Sequence, residues 1–371
     1  MDLLRIAPMA GVVVTHAIIA TQPPDSPGAN AVLMILHTNR ELFFFVSAFV
    51  LALSTRFWER NIVVWPFWRR RFPPVLFPYV LWNFVYWGTD LLRFRPPADL
   101  AFWWIVGDLA HGWSDLYFLL VTMQLYVLMP VLAWLVMKTR GYHWWLLGVS
   151  AVLSLAGMWI LQYFWISFPH PIQWYWFGNA QVEFTSYQFF FILGALCACH
   201  FNDIRAWLHE HRAPALWAAL AGGIVGQGWY FVNLWLGEPS SQAANVLQPA
   251  VMLLVVAILV ALWMLGEWAV EAHPAEGRLW RSIDFGADAS FGVFLFHMLP
   301  IIALVYSPLW GWLGFDLLPS PVATLIMIVI ALGVTVPCVA VLRRLPFSNW
   351  TTGRPRKRVE RRAQELARTR G

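Results

Sequence analysis

Two ionisable residues, Arg5 and His16, lie in the opening stretch DLLRIAPMAGVVVTHAI, which is otherwise apolar enough to cross a bilayer. A helix turning ~100° per residue returns them to within roughly 20° of one face, about 16 Å apart along its axis. A neutral imidazole, with an ordinary pKa of about 6.5, can accept a proton from a hydroxyl, and a guanidinium can hold an anion. Ionisable groups inside spans usually line cavities or pathways. The alternatives are a hydrogen-bonded buried histidine and an arginine that reaches the interface.

The rest of the chain predicts the membrane helices that must position this pair. Of 371 residues, 60% are hydrophobic and only 12% are charged, against roughly 45–50% and 25% in soluble chains. A helix needs about 20 apolar residues to cross the bilayer core. Breaker-rich loops such as QPPDSPGAN and RFRPPADL separate the runs of this kind. The predicted spans are 3–22, 39–55, 74–92, 113–137, 144–166, 184–201, 214–236, 247–268, 287–307 and 320–342.

The distribution of positive charge predicts the topology of an all-α integral membrane protein with about ten spans. With the N-terminus inside, the inner loops hold 11 of the 25 Lys and Arg residues, and the segment beyond residue 342 holds 10 more. The outer loops hold only Arg93 and Arg95. Because short cytoplasmic loops are rich in Lys and Arg, both termini are predicted to be cytoplasmic. We expect a membrane domain at 1–342 and a basic cytoplasmic tail at 343–371, held near anionic lipid rather than nucleic acid.

Other classes of site have little support in the sequence. The first run has a single Arg and only a weak cleavage signal after it, so we expect a retained span rather than a removed signal peptide. Cys197, Cys199 and Cys338 lack a CxxC spacing, which predicts packing residues, no disulfide framework and no metal site. Phosphate-binding glycine loops, zinc-ligand patterns and nucleophile elbows are missing from the sequence.

Five elements in order along the chain resemble the acyltransferase-3 family of integral membrane proteins, over about the first 345 residues. They are the Arg5–His16 spacing, the segment FFVSAF at 44–49, the cluster Arg69, Arg70, Arg71 before a Pro-Tyr pair, and the segments LYFLLVTMQLYVLMPVL and ASFGVFLFHMLPI. The last of these places His297 on the late histidine of the family. Three features depart from the family pattern: Ala48 replaces a Gly, Pro74 replaces the second Arg of an Arg-x-x-Arg pattern, and Phe291 and Phe294 replace tyrosines.

This resemblance implies a cell-membrane enzyme that moves an acyl group, most commonly acetyl, from cytoplasmic acyl-CoA to a hydroxyl. The acceptor would be a sugar, glycolipid, cell-envelope glycan or secondary metabolite, and no metal is expected. His16 would act as general base or would itself carry the acyl group. Arg5 would hold the pantetheine or phosphate end of CoA, or the thioester oxygen as charge develops. Arg69, Arg70 and Arg71 would bind the CoA phosphates or merely enforce topology.

Further polar residues have weaker assignments. Glu41 either orients His16 or binds the acceptor, or it simply pairs with Arg40. Ser47 either packs or hydrogen-bonds in the acyl channel. His297, about 15 Å into its span, either lines the acceptor cavity or makes a structural hydrogen bond. Asp115 and Glu183 are expected to be solvated span ends.

Two other classes of protein are compatible with ten helices and buried charge. A transporter or flippase of a small polar lipid or sugar would also need a cavity, although no two-half repeat is found. A non-catalytic receptor or scaffold could use the same fold. Turnover of acyl-CoA distinguishes an enzyme from both.

Overall fold

A computed structural model describes residues 3–59, 62–164, 167–170, 178–272 and 277–356. These residues form helices and connecting turns, and none of them forms a β-strand. The all-α class is therefore confirmed. The helices are α1 (Leu3–Thr21), α2 (Pro27–Leu36), α3 (Thr38–Thr55), α4 (Val64–Arg71), α5 (Pro73–Phe94), α6 (Ala98–His111), α7 (Tyr117–Lys138), α8 (His143–Trp159), α9 (Gln188–Cys199), α10 (Phe201–Glu210), α11 (Arg212–Trp235), α12 (Ser240–Ala243), α13 (Pro249–Ala272), α14 (Arg278–Phe296), α15 (Met298–Val305), α16 (Leu309–Trp312), α17 (Ser320–Leu342) and α18 (Ser348–Thr352).

Within the described ranges, seven helical segments are long and apolar enough to span a membrane. The count rises to nine if the bent pairs α9–α10, at 85°, and α14–α15, at 42°, are each one span. Helix α5 has a comparable 22 residues, but Asn83, Asp90 and Arg93 make it more polar. A multi-pass membrane protein is thus supported, whereas ten spans and two cytoplasmic termini stay predictions.

The second span differs from its predicted bounds. The segment QPPDSPGAN was expected to be a loop, yet α2 begins inside it, with Pro27 in its first turn and the Ser26 hydroxyl accepting from the Ala29 N–H. Proline in the first turn and serine at the N-cap both favour helix initiation. Helices α2 and α3 together form one 29-residue span, Pro27–Thr55. Arg40 and Glu41, predicted at the outer end of a span, therefore lie inside one, just after the turn at His37.

Two further breaks interrupt helices near the same level. Between α6 and α7 the chain turns at Gly112, whose φ is +85°, and passes through a 3₁₀ turn at Ser114–Leu116. Between α14 and α15 the axis bends by 42° at His297. Breaks of this kind free backbone groups, which in a membrane protein must be satisfied within the protein or line a cavity.

Small residues allow close helix packing around the core. A Cβ at Gly194 of α9 would lie 2.3 Å from the Phe45 carbonyl oxygen of α3. Aromatic side chains fill the space beside this contact, and Phe44, Phe49 and Tyr187 are fully buried. Helix α1 packs against α3, α14 and α17.

The packed structure continues past residue 342, the predicted end of the membrane domain. Arg343 is 8% exposed. Its guanidinium donates to both oxygens of Asp288, at 2.9 and 3.0 Å, and to the Pro355 carbonyl at 2.7 Å. The Trp82 indole donates to the Thr351 carbonyl at 3.0 Å, which joins α18 to α5. Residues 357–371 of the predicted basic tail lie outside the described residues.

Replacing Gly194 with alanine tests the α3–α9 contact. Because the new methyl group overlaps the Phe45 carbonyl, we expect Gly194→Ala to cost about 1–3 kcal/mol of stability, as overpacking does elsewhere. The matched control is Gly148→Ala in α8, where a Cβ meets nothing within 4 Å. Thermal unfolding of the purified protein in detergent should show a lower Tm for the first variant alone. Equal Tm values would contradict the packing described here.

Candidate active site

Two histidines from opposite ends of the chain meet one carboxylate. His16 Nε2 lies 3.1 Å from Asp115 Oδ2, and His297 Nε2 lies 3.3 Å from the same oxygen. The two imidazole rings are tilted by 50°, with their centroids 5.3 Å apart. The His297 side chain is fully buried, whereas those of His16 and Asp115 are 18% and 12% exposed. A carboxylate this enclosed is stabilised only if it is paired, and both rings are placed to do so.

His297 is held from both sides. Its Nδ1 lies 2.7 Å from the Phe294 carbonyl oxygen, so this nitrogen carries a proton and donates it. Carbonyls in the last turn of a helix lack an intrahelical partner, and α14 ends at Phe296, just before the bend. The ring is therefore fixed at the helix end. Its Nε2 atom lies 3.3 Å from Asp115 Oδ2 without a hydrogen bond of good geometry.

The turn before α7 places Asp115. A Cβ at Gly112 would lie 2.2 Å from the Tyr117 backbone nitrogen, so only glycine allows this approach. The Asn83 side-chain oxygen accepts the Trp113 N–H at 2.9 Å, and the Ser114 hydroxyl donates to Asp115 Oδ1 at 2.8 Å. The contact with Asn83 fixes the backbone before Asp115, and the contact with Ser114 fixes the second carboxylate oxygen of Asp115.

A cavity of about 360 Å³ opens beside the His16–Asp115 contact. His16 and Asp115 both line it, while His297 lies behind them and does not. The remaining polar lining comes from the α2–α3 turn and neighbouring segments: Thr15, His37, Asn39, Arg40, Ser114, Tyr117 and Gln181. The hydroxyl group of a substrate of moderate size could thus reach His16.

Glu41 pairs with Arg40 and makes no described contact with His16. The Arg40 Nη2 atom donates to Glu41 Oε1 at 2.8 Å and to the Val246 carbonyl at 3.1 Å. Its Nη1 atom lies 3.4 Å from the Tyr117 hydroxyl, and its guanidinium carbon lies 5.3 Å from the Tyr187 ring centroid. Of the three roles that the sequence allowed for Glu41, the geometry supports the ion pair with Arg40.

The other predicted site residues lie away from His16. Arg5 is in the first turns of the same continuous helix α1, about 16 Å below His16 along the axis. Arg71 donates to Ser54 Oγ at 2.7 Å, near the end of α3 that is farthest from Arg40. Arg69 and Arg70 are exposed on α4 beside it, and Ser47 is half-buried between the two ends of α3. The geometry therefore separates an arginine-rich end from the histidine end of the protein.

Sequence reasoning missed Asp115, which was expected to be a solvated span end. The prediction was wrong because the carboxylate is enclosed by two histidines from distant helices. A Ser-Asp pair directly before an apolar run does mark a helix start. That local signal places the residue at an end of α7, but it does not indicate what the side chain faces.

The same three residues meet the spacing of a metal site. The Nε2 and carboxylate atoms of His16, Asp115 and His297 lie within 4.8 Å of one another, which would also admit a divalent cation. The 3.1 Å contact of His16 is equally that of an imidazole N–H donating to a carboxylate. The predicted lack of a metal is therefore still a prediction.

This multi-pass helical protein places a histidine–carboxylate pair at the wall of an open cavity, an arrangement that can take a proton from a hydroxyl. Residues 1–343 match the model of the acyltransferase-3 family, whose description is "Acyltransferase domain". Because this match covers nearly the whole chain, the chain belongs to that family, and it is a membrane acyltransferase in the general sense. Searches of curated proteins and of solved structures gave no match.

Substitution of Gly112 tests how Asp115 is held. Both Gly112 and Gly141 have positive φ, at +85° and +89°, so alanine at either position pays a backbone cost of about 1–2 kcal/mol. Only at Gly112 would the methyl group also displace the Tyr117 backbone. We expect Gly112→Ala to lower the Tm in detergent clearly more than Gly141→Ala does. Similar Tm values for the two variants would argue against a turn built on Gly112.

Proposed function

We propose that this protein transfers an acyl group, most commonly acetyl, from cytoplasmic acyl-CoA to a hydroxyl group. The acceptor is a sugar, glycolipid, cell-envelope glycan or secondary metabolite at the cell membrane. The observation that carries the proposal is the 3.1 Å contact between His16 and Asp115 at the wall of a cavity. A carboxylate that orients an imidazole is the arrangement with which enzymes activate weak oxygen nucleophiles.

His16 is the general base in this proposal. Its Nε2–H donates to Asp115, which leaves Nδ1 as the ring nitrogen that accepts a proton from the acceptor hydroxyl. The hydroxyl oxygen then attacks the thioester carbonyl carbon, the C–S bond breaks, and His16 returns the proton to the departing CoA sulfur. Asp115 stabilises the imidazolium formed between these two proton transfers.

His297 supports this pair without entering the cavity. It presents a second imidazole nitrogen to Asp115 Oδ2 and anchors its own ring on the Phe294 carbonyl. The buried His297 ring lies against Asp115 on the side away from the cavity. The sequence-based alternative in which His297 lines the acceptor cavity has no support in the cavity lining.

The distance between the arginines and the histidines suits an extended donor. Acyl-CoA carries its phosphates at one end and its thioester at the other, on a long flexible arm. The exposed Arg69 and Arg70 would bind phosphate by charge-assisted hydrogen bonds. Arg5, about 16 Å along α1 from His16, would contact the arm between those two ends. No described contact favours a transporter, and the family match favours transfer over transport.

Release of free CoA tests the catalytic assignment. Purified protein in nanodiscs, with acetyl-CoA and a membrane glycolipid extract, should release CoA, and His16→Ala should reduce the rate by about 10³-fold or more. Asp115→Asn keeps the shape of the side chain but loses its charge, so a loss of about 10²–10⁴-fold is expected. The control is His209→Ala, at an exposed position on α10. Full activity of a folded His16→Ala variant would refute the assignment.

The arginine cluster predicts a different kinetic effect. The triple change of Arg69, Arg70 and Arg71 to Gln should raise the KM for acyl-CoA by about 10-fold or more, with kcat nearly unchanged, because it removes binding and not chemistry. Arg140→Gln, at an exposed position between α7 and α8, is the matched control. If the triple variant has the KM of the wild type, the cluster serves topology instead.

A further inference from the structure

His297 carries a buried nitrogen that lacks a hydrogen bond. The ring is fully buried, and its Nδ1 donates to the Phe294 carbonyl at 2.7 Å. In a neutral imidazole one nitrogen donates and the other accepts, so Nε2 holds a lone pair. This Nε2 atom has no hydrogen-bond partner, yet it lies 3.3 Å from Asp115 Oδ2. Buried polar atoms in folded proteins nearly always have partners, so this one requires an explanation.

The contact between His297 and Asp115 joins two acceptor atoms. A carboxylate oxygen accepts hydrogen bonds and does not donate them, so two lone pairs lie 3.3 Å apart in a buried site. They repel each other unless a cation bridges them. A second proton on His297 does not provide this bridge, because Nε2 makes no hydrogen bond of acceptable geometry with Asp115. A metal ion can bridge them, because it bonds to both atoms from a point off the line that joins them.

The three ligand atoms of the site have separations that one metal ion can span. His16 Nε2 and His297 Nε2 lie 3.1 and 3.3 Å from the same carboxylate oxygen, and all three atoms lie within 4.8 Å of one another. Zinc bonds to nitrogen and carboxylate oxygen at about 2.0–2.2 Å, which in a tetrahedral site places its ligands roughly 3.4 Å apart. Small rotations of the rings therefore suffice to bring all three atoms to one ion.

Hydrogen bonds around the three residues hold them as ligands are held in metal sites. A ligating histidine almost always donates its other ring N–H to a carbonyl, a carboxylate or water, and His297 donates to the Phe294 carbonyl. The second oxygen of Asp115 accepts from the Ser114 hydroxyl at 2.8 Å, which leaves Oδ2 as the ligand atom. The surrounding contacts thus select one nitrogen of His297 and one oxygen of Asp115.

The cavity gives an ion a route to these atoms. His16 and Asp115 line it, so the side of the site that faces the cavity is open to a fourth ligand such as water. Three protein ligands with one open position are typical of reactive zinc sites. Arg40 also lines the cavity, but its pairing with Glu41 at 2.8 Å compensates the charge that would oppose a cation.

A second pair of histidines shows the contrast. His143 Nε2 donates to the Val136 carbonyl at 2.9 Å, so its Nδ1 can accept from His200 Nε2 at 2.8 Å. The two nitrogens of this contact are therefore matched as donor and acceptor. Asp203 lies 3.6 Å from His200, and its side chain is 86% exposed. This pair requires no ion, and His200 provides a matched control.

We propose that His16, Asp115 and His297 bind a divalent transition-metal ion, such as Zn²⁺, and that this ion switches the enzyme off. Two imidazole nitrogens and one carboxylate oxygen favour this class of ion over Mg²⁺ and Ca²⁺, which prefer oxygen ligands. Bonding through Nε2 leaves the single ring proton of His16 on Nδ1. That nitrogen accepts the hydroxyl proton in the proposed function, so the metal-bound ring cannot act as the base. The binding site departs from the sequence-based prediction of no metal and stands on the geometry alone, whereas the inhibition rests on the proposed function.

Metal analysis tests the site without an activity measurement. Untagged protein in nanodiscs, stripped with a chelator and then dialysed against Zn²⁺, should bind one more ion per chain than His297→Gln does. With Co²⁺ in place of zinc, the wild type should show the visible absorption of a four-coordinate site, and His297→Gln should not. The matched control is His200→Gln, which removes a histidine from the other pair and should bind both ions as the wild type does.

Ser114→Ala tests the site while all three ligands stay in place, which also covers failure of His297→Gln to fold. It removes the hydrogen bond to Asp115 Oδ1, so the Kd for Zn²⁺ should rise by about 10-fold or more. The control is Ser282→Ala, at an exposed position on α14.

The CoA-release assay tests the inhibition. Saturating Zn²⁺ should slow the wild type and His200→Gln by about 10³-fold, the loss expected when the base is removed, and a chelator should restore the rate.

The outcomes separate the metal site from the proposed function. The site is overturned if the wild type binds no Zn²⁺, or if folded His297→Gln binds it as tightly as the wild type does. The inhibitory role is overturned if bound zinc leaves CoA release unchanged or raises it. If the wild type releases no CoA with or without Zn²⁺, the proposed function fails and the inhibition falls with it, whereas the dialysis measurement still decides the metal site.

Discussion

The pairing of Asp115 with His16 and His297 is the constraint on which the arrangement depends. A carboxylate that is only 12% exposed is costly without a partner, and two imidazoles from distant segments lie 3.1 and 3.3 Å from one of its oxygens. Meeting that demand requires α1, the α6–α7 turn and the α14–α15 bend to converge on one point. Gly112 allows the tight turn before Asp115, and the Phe294 carbonyl accepts a hydrogen bond from His297.

The polar side chains of the site lie at helix interruptions. His37 to Glu41 follow the α2–α3 turn, Asp115 follows the Gly112 turn, and His297 lies at the α14–α15 bend. An unbroken helix satisfies its own backbone and presents only side chains, whereas a broken one can also present backbone groups to a cavity. His16 instead comes from the continuous helix α1, against which these interrupted elements are arranged.

Charge is distributed unequally between the two ends of the site. The exposed arginines of α4 are uncompensated by neighbouring carboxylates in the described contacts, whereas Arg40 within the span is neutralised by Glu41. This division suits a ligand that is highly charged at one end and neutral at its reacting end. The α4 end is therefore positively charged, whereas the Arg40–Glu41 pair adds no net charge near His16.

The apolar composition and the runs of about 20 apolar residues sufficed to predict an all-α membrane protein, and the motifs sufficed for its family, because these signals are local in the sequence. The partners of His16 could not be predicted in this way. Asp115 had the signature of a span end, and Asn39 lay in a segment assigned to the edge of a span; neither showed which helix it would face. The contacts of Asp115 join residues about 100 or more positions apart in the chain. They also depend on the breaks between α2 and α3, between α6 and α7, and between α14 and α15, so only the tertiary packing decided them.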